Sequence, residues 1–208
     1  MELRQFAQTM PTLPDARAAE LLPHVTSMLT SWHIEPGREL AMLLAQIGHE
    51  SNNLTRWEEN LNYSTAERIA AVFGKRRFPT VDAAKPYVNQ PEKLANFVYA
   101  GMIGNGLVAS GDGWRFRGRS PVQLTGRANY RACAAKIGHP LETSPELALQ
   151  PDVGMQCVGW FWSSKGCAEP ARSGDVRTVT HLINGGEVGL PDRIARYERA
   201  CRVLGLQP

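Results

Sequence analysis

Gly37–Tyr63, GRELAMLLAQIGHESNNLTRWEENLNY, is the stretch from which fold and chemistry are both read. From Arg38 to Glu50 the residues favour a helix, and Leu40, Leu43, Leu44 and Ile47 recur at the spacing of one buried helical face. Glu50 lies on that face, three residues after Ile47, so its side chain is expected to lean toward the core. Such an apolar setting suits a general acid. Glu59 follows the loop-like SNNLT and sits among Arg56, Glu58, Asn60 and Asn62, a polar setting that suits a general base acting on water. One carboxyl of each kind points to glycoside hydrolysis. A zinc protease would need HExxH, so that two imidazoles share a helix face, and Asn53 stands where the second histidine is required.

Composition narrows the class. The chain has 208 residues, 43% hydrophobic and 21% charged, the profile of one globular unit long enough to bury a substantial core. Its 23 basic and 20 acidic residues leave a net charge of +3, too weak for nucleic-acid binding but suited to a polyanionic surface such as a bacterial envelope. No apolar run reaches the length of a membrane span, and the N-terminus lacks the basic start and apolar stretch of a secretory signal. Cys133, Cys157, Cys167 and Cys201 are scattered without CxxC pairing or histidines at ligand spacing, which predicts buried thiols and no metal or cofactor.

Outward from the central stretch, residues 1–36 read as scaffold helices broken by Pro11, Pro14, Pro23 and Pro36, with Asp15 capping the first well-formed one. Ser64 with Glu67 reads as a capping box opening a helix through Ile69, Val72 and Phe73, which runs into the basic cluster Lys75, Arg76 and Arg77. Helical pieces follow at 81–88 and 91–99. Residues 100–126 are crowded with glycine and cannot form a regular helix; Trp114 and Phe116 there could stack on sugar rings or pack into the core. Helices resume at 127–137, near Pro145 and over 153–163, the most apolar run. Residues 176–183 lead into Asn184-Gly185-Gly186. A last helix from Pro191 carries the apolar stripe Ile194, Tyr197, Cys201 and Leu204 beside a row of Arg193, Arg196, Arg199 and Arg202, one of which could pair with a carboxylate.

Taken together, AQIGHESNN with EENLNYS, FRGRSPVQLTGRANY, and INGG followed by DRIARYERACRVLG resemble glycoside hydrolase family 19, shared by plant chitinases and lysozyme-like phage endolysins. The resemblance implies a mainly α, lysozyme-like bilobal fold with a groove between the lobes: a large lobe of about 1–63 and 101–208 and a small helical lobe of about 64–100. It implies an inverting mechanism on β-1,4-linked N-acetylated sugars, with Glu50 as general acid, Glu59 as general base and Thr125 helping to hold the attacking water. Glu58 beside Glu59 is a second candidate base. Gln123, Asn129 and Asn184 match sugar-binding positions, and Tyr63 and Trp114 are further candidates for substrate contact. His49, Arg193 and, one residue out of register, Glu187 would tune the acid. Where relatives read GRG, this chain has Gly118-Arg119-Ser120. The expected substrate is the peptidoglycan glycan strand, cut by a monomeric muramidase-type endolysin. Such an enzyme would accumulate in the bacterial host cytoplasm and reach the wall only after a separate protein permeabilises the membrane, without inserting into it. A chitinase and a noncatalytic cell-wall-binding module are the alternatives.

Overall fold

The computed structural model describes residues 1–207. Among the described residues twelve α-helices follow in chain order: α1 Leu3–Thr9, α2 Asp15–Ser31, α3 Arg38–Glu50, α4 Ala66–Arg77, α5 Val81–Ala84, α6 Pro91–Val98, α7 Asp112–Arg115, α8 Arg127–Ile137, α9 Pro151–Ser164, α10 Ala168–Ser173, α11 Val176–Asn184 and α12 Leu190–Leu204. Among the described residues the only extended pairing is two isolated antiparallel bridges, Glu58 with Arg119 and Arg119 with Leu124. The fold is therefore mainly α, as the resemblance implies.

The chain forms two compact units. The first comprises Met1–Trp57, Ser120–Gln123 and the chain from Glu146 onward; the second comprises Glu58–Arg119 and Leu124–Pro145. The boundary differs from the one expected. The Gly-rich segment and α8 belong with the smaller unit, because Arg119 exchanges backbone hydrogen bonds with Leu124 and Gly126 N–H donates to Phe116 O at 2.8 Å.

Helix α3 is the axis of the first unit. Every residue from Glu39 to Gly48 is buried, so it lacks the single apolar face its leucines suggest. Ala41, Ala45 and Gly48 explain the second packed side: small residues admit neighbours closely, and a Cβ on Gly48 would come within 3.1 Å of the Arg196 guanidinium and 3.3 Å of Met10 Sδ. Buried Glu39 is satisfied by Arg172 Nε at 2.9 Å and Trp162 Nε1 at 3.2 Å. Helix α2 runs through Pro23 without breaking and begins at Asp15, with Pro14 in the cap position, because burial of Leu21, Val25 and Met28 outweighs one lost backbone bond. Trp162 of α9 lies in this core, and all four cysteines are buried and outside any disulfide, with burial pushing the Cys167 thiol up to about 12.

The second unit has its own core of Ile69, Phe78, Leu94 and Val98, closed by aromatic contacts: Phe78 sits 5.4 Å from both Tyr87 and Phe97, and these two stack at 4.9 Å. Helix α4 is capped one residue later than expected, by Thr65 Oγ1, which accepts from Arg68 N–H at 3.2 Å; Val72 faces solvent. Phe116 is buried against Tyr130, which decides its role as core.

Candidate active site

In the first unit, Glu50 ends α3 with its side chain 26% exposed, and its Oε1 accepts a hydrogen bond from Arg193 Nη2. Arg193 is only 2% exposed, and its Nη1 donates to Gln46 Oε1, one turn before Glu50. The expected apolar setting is therefore joined by a buried guanidinium that fixes the carboxyl against α12. Leu43, Gln46, Ile47, Val122, Val158, Phe161, Trp162 and Ile183 line the crevice beside Glu50, whose volume of about 10 Å³ is room for roughly one water. A much larger surface cavity, about 720 Å³, lies along α1 between Leu3 and Asp15 and shares no residue with it.

His49 turns to α12 as well. Its Nδ1 lies 2.6 Å from Asp192 Oδ2, which also accepts from Arg196 Nε at 2.6 Å. Arg196 continues to Asn53 Oδ1, and Asn53 Nδ2 donates to Thr12 Oγ1 at 2.7 Å. Desolvation pushes the Asp192 carboxyl up, but the hydrogen bonds from His49 and Arg196 outweigh it and hold the group below its ordinary value. Gly189 leaves room for this arrangement, since a Cβ there would lie 2.4 Å from the imidazole. The Arg193 side chain also displaces the expected stripe of α12: Leu190, Arg193, Tyr197, Ala200 and Cys201 are buried, while Ile194 is 38% exposed.

Two further residues singled out in the sequence, Glu187 to tune the acid and Asn184 to bind sugar, are engaged elsewhere. Glu187 forms an ion pair with Arg177 rather than joining Arg193 and Glu50. The Asn184 side chain closes its own loop, donating to Val188 O at 2.9 Å and accepting from Gly186 N–H at 2.8 Å. Gln123 sits in Ser120–Gln123 with φ +52°, and its Nε2 lies 3.5 Å from Ser120 O.

In the second unit, neighbouring carboxylates have opposite surroundings. Glu58 is bracketed by Arg117 Nη2 at 2.6 Å and Arg119 Nε at 3.2 Å. Arg119 is itself buried and reaches Arg115 O and the Tyr130 hydroxyl. Glu59 accepts instead from neutral donors, the Gly118 N–H at 2.6 Å and the Tyr99 hydroxyl at 2.7 Å, while its own N–H donates to Gly118 O at 3.0 Å. Burial and the Glu59 charge push the Tyr99 hydroxyl well above the usual tyrosine range, so it remains a donor. Tyr63 feels the same charge after desolvation, and its ring packs edge-on to Phe73 at 5.9 Å. Thr125 is half-buried, its carbonyl accepting from Asn129 Nδ2 at 3.0 Å. Trp114 is half-buried, with the Arg117 guanidinium 3.7 Å from its ring centroid covering one face. Sequence reasoning missed Tyr99, Gln46 and Asp192. Nothing local marks Tyr99, whereas Asp192 stood beside Arg193 in a motif already singled out.

No family model matches the chain. Over 157 residues it is 41% identical to a glycosyl hydrolase family 19 domain-containing protein of Haemophilus influenzae, covering 76% of both chains. The chain belongs to glycosyl hydrolase family 19. It is also 28% identical over 178 residues to an endochitinase of Arabidopsis thaliana, covering 82% of this chain and 50% of that one, so it spans about half the length of that relative. Chitinase C from Streptomyces griseus HUT6037 shares the fold, with a TM-score of 0.67 over 99% of this chain and 93% of that one at 18% identity. This family 19 chain thus has the helical, lysozyme-like fold of the chitinases and is a glycoside hydrolase.

Proposed function

We propose that this family 19 enzyme hydrolyses β-1,4 bonds of the peptidoglycan glycan strand by inversion, as a muramidase-type endolysin. The observation that carries the acid/base reading is the contrast between its carboxylates: Glu50 on a buried arginine, Glu59 on a hydroxyl and an amide, and Glu58 locked between two guanidiniums. Glu50 protonates the leaving glycosidic oxygen. Glu59 takes a proton from a water that attacks the opposite face of the sugar, with Thr125 helping to orient it. Glu58 shapes the bridge to Arg119 that sets Glu59 against Gly118. Gln123, Asn129, Tyr63 and the open face of Trp114 contact N-acetyl and hydroxyl groups of the sugar.

A bacterial relative at 41% identity and a net charge of +3 support a polyanionic bacterial wall as the target. In this reading the enzyme acts as a monomer, accumulates in the host cytoplasm and depends on another protein to open the membrane. Chitin is the second reading, favoured by the similarity to a plant endochitinase. Mass spectrometry of fragments from purified peptidoglycan, with chitin oligomers digested alongside and Glu50→Gln as control, separates them. New reducing N-acetylmuramic acid ends are expected. Reducing N-acetylglucosamine ends from the wall would make it a glucosaminidase, cleavage of chitin alone would move it to the second reading, and no cleavage of either would leave a binding module.

A further inference from the structure

The Gly-rich segment of the second unit displays apolar side chains from a backbone that is firmly held. Met102, Ile103, Leu107 and Val108 are all exposed, Leu107 at 79% and Val108 at 51%. Met102 N–H and Asn105 Nδ2 donate to Tyr99 O at 3.2 and 3.1 Å, and Asn105 Oδ1 accepts from Arg127 N–H at 2.8 Å. Ile103 O accepts from Ala128 N–H at 2.9 Å, and Gly106 N–H donates to Asp112 Oδ2 at 2.9 Å. Ile103 is held at φ +49°, a region that β-branched residues avoid. A pinned loop showing several large apolar side chains to water marks an interaction surface.

Its rim is basic. Arg77 Nη2 lies 2.7 Å from Met102 Sδ, which brings the end of α4 to the edge of the segment. Residues 68–81 contain four basic and no acidic side chains, and residues 100–111 carry no charge. Lys75 and Arg76 are exposed and form no ion pair among the described residues. The segment is anchored on the backbone oxygen of Tyr99, the residue whose hydroxyl holds Glu59.

We infer that this surface binds the acidic peptide carried by the lactyl groups of peptidoglycan, an inference that rests on the peptidoglycan reading above. Leu107 and Val108 meet the methyl and methylene groups of the peptide, and Lys75 and Arg76 meet its carboxylates. Chitin has no such branch, so the surface selects between two polymers with the same backbone linkage. A lipid headgroup layer would also match an apolar patch with a basic rim; anchoring on Tyr99, the residue that also holds Glu59, is what favours the substrate.

The test compares kcat/KM on peptide-bearing glycan strands with that on the same strands stripped by an amidase. Wild type is expected to prefer peptide-bearing strands by about tenfold, mainly through KM. Leu107→Ser with Val108→Ser, and separately Lys75→Gln with Arg76→Gln, should abolish the preference and leave the rate on stripped strands unchanged. All four side chains are exposed, so the fold should survive. Equal wild-type rates on both strands, or variants that keep the preference, overturn the inference alone. Variants that lose binding to phosphatidylglycerol vesicles while keeping the preference also overturn it and assign the patch to lipid. Cleavage of chitin oligomers with neither strand preparation cut removes the peptidoglycan reading and the inference together.

Discussion

Replacing Ser120 with glycine should stabilise this enzyme. Ser120 is fully buried, sits at φ +66°, and its hydroxyl oxygen has no hydrogen-bond partner. Holding a residue with a Cβ in the left-handed region costs about 1–2 kcal/mol. An unsatisfied buried hydroxyl costs about 1–3 kcal/mol more. Glycine removes both terms but gives the unfolded chain more freedom, worth about 0.5–1 kcal/mol in the other direction. The small space left by Cβ and Oγ takes back a similar amount. The net expectation is a gain of about 1–3 kcal/mol, which for a chain of this size raises Tm by about 2–4 °C per kcal/mol. Differential scanning calorimetry of wild type and Ser120→Gly at one pH reads this directly. An unchanged or lower Tm would refute the reasoning and show that the hydroxyl is satisfied or that the backbone there is not left-handed.

Other consequences follow from the same structure. Arg193→Met leaves Gln46 and the Glu50 carboxylate without their partner and should cost about 2–4 kcal/mol, less than for a fully enclosed pair because Glu50 keeps some solvent; urea unfolding checks it. Asp192, Asp175 and Glu142 are all held below their ordinary values, Asp192 because its bonds to His49 and Arg196 outweigh desolvation, Asp175 by Thr178, and Glu142 at about 2 by Arg131 and Arg127. Depressed carboxyls stabilise the fold above their unfolded values near 4 and lose that contribution as pH falls through the folded ones, so Tm should be level above about pH 5 and decline steadily from about pH 4 toward 2. A thiol reagent should label none of the four cysteines in the native enzyme, and all four after denaturation.

The sequence made α3 and α8 readable to the residue because apolar spacing and helix propensity agree there. Pro23 misled because local breaking strength says nothing about the core that Leu21, Val25 and Met28 enter on either side of it. Ile194 misled for the opposite reason: periodicity prefers an isoleucine inside, but Gln46 and Glu50 give Arg193 the partners that let a guanidinium take the buried position. Glu50 and Glu59 stand out as candidates from their motifs alone, whereas the different surroundings of Glu58 and Glu59 depend on Arg117 and Arg119, which bracket Glu58 from about sixty residues away. Tyr99, forty residues from Glu59, carries its meaning in a tertiary contact that no local pattern records.

If Glu50 protonates the leaving glycosidic oxygen while Glu59 activates a water on the opposite face of the sugar, as proposed, hydrolysis inverts the anomeric centre. Proton NMR of the first reducing ends released from a soluble β-1,4-linked N-acetylglucosamine-containing oligomer tests it most directly, with Glu50→Gln and Glu59→Gln run beside wild type. Wild type should release the α-anomer first, and both variants should stay folded while losing on the order of a thousandfold or more in rate. Initial release of the β-anomer, or near wild-type turnover by either folded variant, would contradict it.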